Sequence, residues 1–274
     1  MNYIQFDFLT SEENLRQILI AHLADLGVES FQEDDTLQAF LPADQFTESL
    51  AEAIRRVAEQ HGVAYSHQEL PAQNWNTLWE SNFEPIVISD FCGVRADFHD
   101  PIPNVRHEIL INPQMAFGTG HHETTYMMMD IMSGISFADR KVLDYGCGTG
   151  ILAILAAFLG ASPIDAVDIE RAAYENTLEN AQKNNVQQIR VLHGTLESVV
   201  DSGYAVVLAN INRNVILESL PALRSRIQPD GILLVSGILL DDVSRVTQAA
   251  EANGFHPVHQ EQKGNWAAIQ FVRL

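Results

Sequence analysis

Lys141 to Gly160, KVLDYGCGTGILAILAAFLG, constrains this chain more than any other stretch. A short apolar run, Val142 and Leu143, ends at an acid, Asp144. Glycines then fall at every second position, Gly146, Gly148 and Gly150, before an unbroken apolar segment, Ile151 to Leu159, that reads as a buried helix. Strand, glycine loop and helix opening together hold a nucleotide-like ligand against a parallel sheet. Glycine suits the loop because no Cβ blocks a tight turn or the approach of a ligand. The spacing narrows the choice. A dinucleotide site reads G-x-G-x-x-G, its third glycine packing helix on strand. Counted from Gly146 that place is Ile151; counted from Gly148 it is Ala153, small enough but without the usual framing.

Downstream the chain alternates strand and helix: Ile164 to Ile169, a helix from Glu170 to Asn184, Ile189 to Leu192, and Ala205 to Ile211 followed by a helix to Ile227. Gly231 to Leu239, a helix from Asp241 to Asn253, and two antiparallel strands around Lys263-Gly264-Asn265 complete it. Repeated βα units predict a parallel sheet with helices on both faces. Residues 1–70 read differently, as β-α-β-β-α-β, a ferredoxin-like α+β domain with a hairpin at Asp34-Asp35 and a second helix from about Asp44 to His61. A linker, 71–85, carries Trp75 and Trp79 four residues apart, a spacing that suits packing at a domain junction. Ile86 to Ile88, Val94 to Phe98 and His107 to Ile111 read as a small hairpin layer at the start of the main domain, 86–274.

At 274 residues the chain suits one large or two modest domains. Its formal net charge of −20 argues against nucleic acid as a direct partner and allows a basic one. Residues 1–70 hold 13 acids and 3 bases, half of the net charge in a quarter of the chain. Cys92 and Cys147 build neither a disulfide framework nor a zinc spacing. The N-terminus alternates as a strand and lacks a basic signal region, and no apolar run approaches a membrane span. A cytoplasmic protein is expected.

In parallel sheets of this kind ligands sit at the carboxyl ends of the strands. The loop from Asp144 to Gly150, then Asp168, then Asn210 fall there. Asp168 lies about twenty residues past the glycine loop, where an acid accepts from ribose hydroxyls. A second dense stretch, NPQMAFGTGHHETT, sets Thr119 between Gly118 and Gly120 ahead of Thr124 and Thr125. It predicts a glycine-hinged loop that caps a helix and offers hydroxyls to a ligand. His121 and His122 are adjacent and do not share a face, so no metal site is expected.

The D-x-G-x-G-x-G loop resembles the first motif of class I S-adenosylmethionine-dependent methyltransferases. Together, NPQMAFGTGHHETT, LDYGCGTGILAI, AVDIE and LANI resemble the ribosomal protein methyltransferase A family along essentially the whole chain. That resemblance implies a doubly wound, mostly parallel class I methyltransferase sheet behind the ferredoxin-like domain, with S-adenosylmethionine as cofactor. It implies cofactor contacts at Thr125, Gly146, Asp168 and Asn210, while Asp144 and Gly148 of the glycine loop and Thr119 are further cofactor candidates and the Gly194-Thr195-Leu196 turn sits where class I enzymes usually hold adenine. It also implies methylation of lysine side chains and the N-terminal amine of a basic ribosomal protein, the stalk-base protein eleven of the large subunit. The acidic N-terminal domain would recognise that substrate. One departure is visible, His121-His122-Glu123 where the family commonly reads Thr-His-Pro. Neutral Asn210 is the candidate to orient cofactor or amine. A class I enzyme for another substrate, a nicotinamide-dependent dehydrogenase and a non-catalytic adaptor are the alternatives. The absence of N-P-P-[YF] in LANINRN disfavours a release-factor enzyme.

Overall fold

The computed structural model describes residues 3–10, 12–26, 28, 30–33, 36–70, 84–112 and 122–274, and the chain divides into two compact units, Met1–Asn82 and Phe83–Leu274. The first unit runs β1 (Tyr3–Phe8), α1 (Glu13–Asp25), β2 (Ser30–Glu33), β3 (Leu37–Pro42), α2 (Glu48–Gln60) and β4 (Tyr65–Leu70). Its antiparallel sheet has the order β2-β3-β1-β4, the ferredoxin-like arrangement expected from the element order. The two-residue period of β1 and β3 sends Ile4, Phe6, Phe8, Leu37, Ala39 and Leu41 to one core, where Leu19, Leu23 and Ile54 of the helices meet them. Helix α2 starts later than its apolar spacing suggests. Asp44 lies in a separate 3-10 turn, and Thr47 caps α2 by accepting from the Leu50 N–H at 3.2 Å. The Asp34-Asp35 turn and Trp75 and Trp79 lie outside the described residues.

The second unit opens with a three-stranded sheet, β5 (Ile86–Ile88), β6 (Cys92–Arg95) and β7 (His107–Leu110). The expected hairpin layer is corrected here, because β6 and β7 pair in parallel and only β5 and β6 are antiparallel. The expected strand Val94 to Phe98 is also displaced. It ends at Arg95, whose guanidinium draws in the carbonyls of Ala96 (3.1 Å) and His99 (2.9 Å) and pairs with Glu108 at 3.0 Å. Curling the backbone onto one cation stops the ladder.

Next come α3 (Glu123–Met132), β8 (Val142–Tyr145), α4 (Ile151–Phe158), β9 (Ile164–Asp168), α5 (Arg171–Lys183), β10 (Ile189–His193) and β11 (Tyr204–Asn210). They are followed by α6 (Arg213–Arg226), β12 (Ile227–Leu239), α7 (Val243–Ala252), β13 (Phe255–Lys263) and β14 (Trp266–Arg273). The strand order is β10-β9-β8-β11-β12-β14-β13, parallel except for β14, which runs against both of its neighbours. This is the mostly parallel sheet that the motif resemblance implies. Neighbouring residues of the central strands serve opposite faces. Val142 and Val206 join α3 and α4 in one core, whereas Leu143 and Val207 join α6 and α7 in the other. The chain leaves β8 toward β9 and β10 and then returns to β11 on the far side of β8, so the crevice at the carboxyl ends of β8 and β11 is the topological switch point. No helix among the described residues is long and apolar enough to cross a membrane.

Candidate functional site

The glycine loop begins where β8 ends. Gly146, Gly148 and Gly150 all take positive φ, at 75°, 56° and 79°. A Cβ on Gly146 would overlap the Ile211 Cγ2 methyl, and one on Gly150 would come within 2.8 Å of Thr177 Cγ2. Both the dihedrals and the crowding therefore demand glycine here. The N–H groups of Gly146 and Cys147 bond back to the Val167 carbonyl, which ties the loop to the end of β9. Thr177 donates to the Gly148 carbonyl at 2.9 Å and Asn180 Nδ2 to the Thr149 carbonyl at 2.9 Å, both from the buried face of α5.

Asp144 is 1 % exposed, at the end of β8. Its Oδ2 accepts from the Ala153 N–H at 3.0 Å, which anchors the first turn of α4. Its Oδ1 is buried with no hydrogen-bond partner among the described residues. Burial above all, and then the charge of Asp168, pushes the carboxyl up to about 7, against the pull of the Ala153 N–H. Asp144 thus stands behind the loop and not among the residues that line the cavity in front of it. Burial likewise holds the Cys147 thiol well above its ordinary value, which leaves it without nucleophilic character.

That cavity has a volume of ≈ 580 Å³, and Thr125, Gly146, Gly148, Asp168 and Asn210 all line it. Five of the seven residues singled out from sequence are thereby brought to one place. Thr119 lies outside the described residues. Asp168 closes β9, its Oδ2 accepting from the Gly148 N–H and its Oδ1 from the Glu170 N–H, each at 2.9 Å. Each carboxylate oxygen keeps a further lone pair for a hydroxyl. Next to it Ile169, 64 % exposed, faces the same cavity as Ile211 and Val215. Apolar walls of this kind suit a flat base, and Gly194 and Thr195 extend them.

At the end of β11, Asn210 Nδ2 donates to Thr125 Oγ1 at 3.0 Å. Its Oδ1 is buried and unpartnered among the described residues, leaving an uncharged acceptor at the cavity wall. Thr125 and Thr124 sit in the first turn of α3 and not in a preceding loop, because His122 is the cap, its Nδ1 accepting from the Thr124 N–H at 3.3 Å. The departure His121-His122-Glu123 therefore includes a working helix cap, and the rings of His122 and Trp266 meet in a T-shaped contact at 4.8 Å between centroids.

Sequence reasoning missed Thr177 and Asn180. Their signal was present: Asn176, Asn180 and Asn184 recur every fourth residue in the segment read as a helix from Glu170 to Asn184. Asparagine has poor helix propensity, and three on one stripe imply partners for their amides.

The sequence profile of the ribosomal protein L11 methyltransferase family (PrmA) matches residues 9–274. A ribosomal protein L11 methyltransferase of Porphyromonas gingivalis is 41% identical, over 99% of this chain and 98% of its own length. One of Bacteroides fragilis is 38% identical, over 99% and 100%. Among solved structures, the ribosomal protein L11 methylase of Lactobacillus delbrueckii subsp. bulgaricus superimposes with a TM-score of 0.65 at 28% identity, covering 70% of this chain and 99% of that one. Cavity, strand order and full-length similarity converge: this chain belongs to the ribosomal protein L11 methyltransferase family, whose methyl donor is S-adenosylmethionine.

Proposed function

We propose that this chain methylates lysine side-chain amines and the N-terminal amine of ribosomal protein L11, and that Thr125, Gly146, Gly148, Asp168 and Asn210 contact the methyl donor. Asp144 would support that contact from behind the glycine loop. The residues present fit S-adenosylmethionine: the cavity falls within the usual small-ligand range of about 300–1,000 Å³, Asp168 can accept from ribose hydroxyls, and Ile169 and Ile211 can flank adenine. When bound, the cofactor supplies a methyl group already activated by its sulfonium. The protein's own work is alignment, exclusion of water and control of the amine's charge.

The observation that carries this reading is the uncharged acceptor Asn210 Oδ1 at the cavity wall. An amine attacks only after losing a proton. For a lysine that costs roughly 4–5 kcal/mol at pH 7, and for an α-amine only about 1. A carboxylate in that place would hold the amine in its charged form, whereas an amide oxygen accepts an N–H from the neutral amine without that penalty. The hydrogen bond to Thr125 fixes the amide so that Oδ1 stays available.

Capture of the substrate falls to residues 1–70, the acidic ferredoxin-like domain, with 71–85 as linker and 86–274 as the methyltransferase domain. Thirteen acids against three bases in those first seventy residues favour a basic partner and disfavour nucleic acid or an anionic membrane surface. We place the enzyme in the cytoplasm, with its substrate. Incubating the chain with S-adenosylmethionine and purified ribosomal protein L11 should raise the substrate's intact mass in steps of about 14 Da, the mass of CH₂, and unchanged mass would refute the proposal. Raising salt should weaken substrate capture while leaving cofactor affinity in place. Equal loss of both would remove the recognition role from the first domain.

A further inference from the structure

One face of α5 grips two backbone segments at once. Asn184 takes both peptide groups of Leu110, accepting from its N–H at 2.9 Å and donating to its carbonyl at 2.6 Å. One turn earlier, Asn180 Oδ1 accepts from the Asn112 N–H at 2.7 Å, and Asn176 Nδ2 donates to the Asn112 carbonyl at 3.2 Å. The helix thus pairs with residues 110–112 much as an adjacent strand would, through side-chain amides. Asn180 is also shared with the glycine loop. Its Nδ2 reaches the Thr149 carbonyl and, at 3.1 Å, Asn176 Oδ1, so both amide hydrogens of this buried side chain are committed. Thr177 adds the Gly148 carbonyl at 2.9 Å and packs against Gly150.

We infer that Thr177 and Asn180 are positioning residues for the cofactor. They do not line the cavity, but they fix the carbonyls of Gly148 and Thr149 onto α5 and so set the peptide planes of the loop that does. The three positive-φ glycines give that loop a wide choice of backbone conformations. Two buried donors on a rigid helix hold the loop's carbonyls in this arrangement, as Val167 and Asp168 hold its N–H groups. Without them the loop samples other arrangements, and binding must first restore this one. Asn184 serves as the built-in comparison, since it clamps Leu110 and makes no bond to the glycine loop.

This inference rests on the reading of the cavity as the cofactor site. The test is calorimetric titration of the full chain with S-adenosylmethionine, together with melting of the ligand-free protein and steady-state methylation of ribosomal protein L11. Thr177→Val keeps shape and removes the hydroxyl donor; it should weaken cofactor binding about tenfold, about 1.4 kcal/mol. KM for the cofactor should rise with kcat largely kept, and Thr177→Ser should restore affinity. Asn180→Ser should weaken binding similarly, and it decides the matter should Thr177→Val not fold. Asn184→Ser should lower the melting temperature and leave cofactor affinity as it was. If Thr177→Val and Asn180→Ser melt earlier but bind like the parent, or if Asn184→Ser weakens binding as much as they do, the inference is overturned and the cavity reading survives. A parent chain that binds no cofactor would overturn both.

Discussion

Asp144 offers a quantitative test of the site, through the pH dependence of folding. Its carboxyl is wholly buried, and burial pushes it from the ordinary 3.8 up to about 7. Between those two values the unfolded chain carries an ionised aspartate and the folded chain a protonated one, so folding takes up a proton. A raised folded value means that the contribution to stability is fully present in acid and is lost as pH climbs through about 7. Each pH unit in that window is worth about 1.4 kcal/mol. From pH 5 to 8 the parent should therefore lose roughly 3 kcal/mol relative to Asp144→Asn, whose amide cannot ionise. Other groups titrate too. His107, lowered by burial and by Arg106, gains stability as pH rises and works in the opposite sense. Asp97 and Glu108, lowered by Lys183 and Arg95, lose theirs only in stronger acid. Subtracting the Asp144→Asn curve from the parent's cancels all three. Urea denaturation at half-unit steps of pH supplies the curves, with the infrared band of a protonated carboxyl as an independent readout. A difference between the two proteins that stays flat from pH 5 to 8 would show Asp144 ionised in the fold and refute the reasoning.

Three further outcomes are expected. Gly237 takes φ 84° and lies outside the cavity lining, yet a Cβ there would collide with the Ile211 carbonyl. Gly237→Ala should cost about 1–2 kcal/mol in backbone strain and, by displacing Ile211, weaken cofactor binding in a calorimetric titration; parental affinity would contradict this. Asn210→Asp can keep a hydrogen bond with Thr125 but sets a charge where the proposed reading places the amine. An amine beside a carboxylate has its pKa raised by about 1–3 units, so kcat/KM near pH 7 should fall roughly 10- to 1,000-fold and recover in part at pH 9, whereas a pH-independent loss would point to geometry instead. Tyr204→Phe removes the bond to buried Asp165 (2.5 Å) at the opposite end of β11 from Asn210. It should cost about 1–3 kcal/mol in denaturant melts and leave cofactor affinity intact.

Much of this was legible in the chain because local rules and the fold agree. Alternating strand and helix signals, three glycines at two-residue spacing and acids at strand ends each carry a local physical reason, and the sheet brings Gly146, Asp168 and Asn210 to one crevice. What could not be read depended on partners distant in sequence. The parallel pairing of β6 with β7 is set by a crossover held by Arg95 and Glu108, and no turn signal encodes it. The role of Asn180 needs Asn112 and Thr149, 68 and 31 residues away, to be in place. Asp144 belongs to the glycine motif by spacing, but its retreat behind the loop follows from its side chain turning to the Ala153 N–H. The polar residues Asn176, Thr177 and Asn180 on α5 carry no local sign of their burial, which only the packed fold creates.

The distribution of charge around the cavity follows from the same sheet. Asp168 closes β9 and Asn210 closes β11, with β8 between them. Two strand spacings separate them by roughly 10 Å. A full negative charge at that distance biases an amine by only about 0.4–1.7 kcal/mol for effective dielectric constants of about 20–80. That is small beside the roughly 4–5 kcal/mol needed to deprotonate a lysine at pH 7. In the proposed site an acid is therefore tolerable at the ribose end and costly at the methyl end, which fits aspartate at the end of β9 and asparagine at the end of β11. Asp144, on the intervening strand, pairs in register with Leu208, two residues before Asn210. Burial raises its carboxyl to about 7, so below that pH it adds little negative charge behind the glycine loop. Asp144→Asn, uncharged at every pH, should therefore keep the neutrality behind the loop while losing the alkaline destabilisation of the parent.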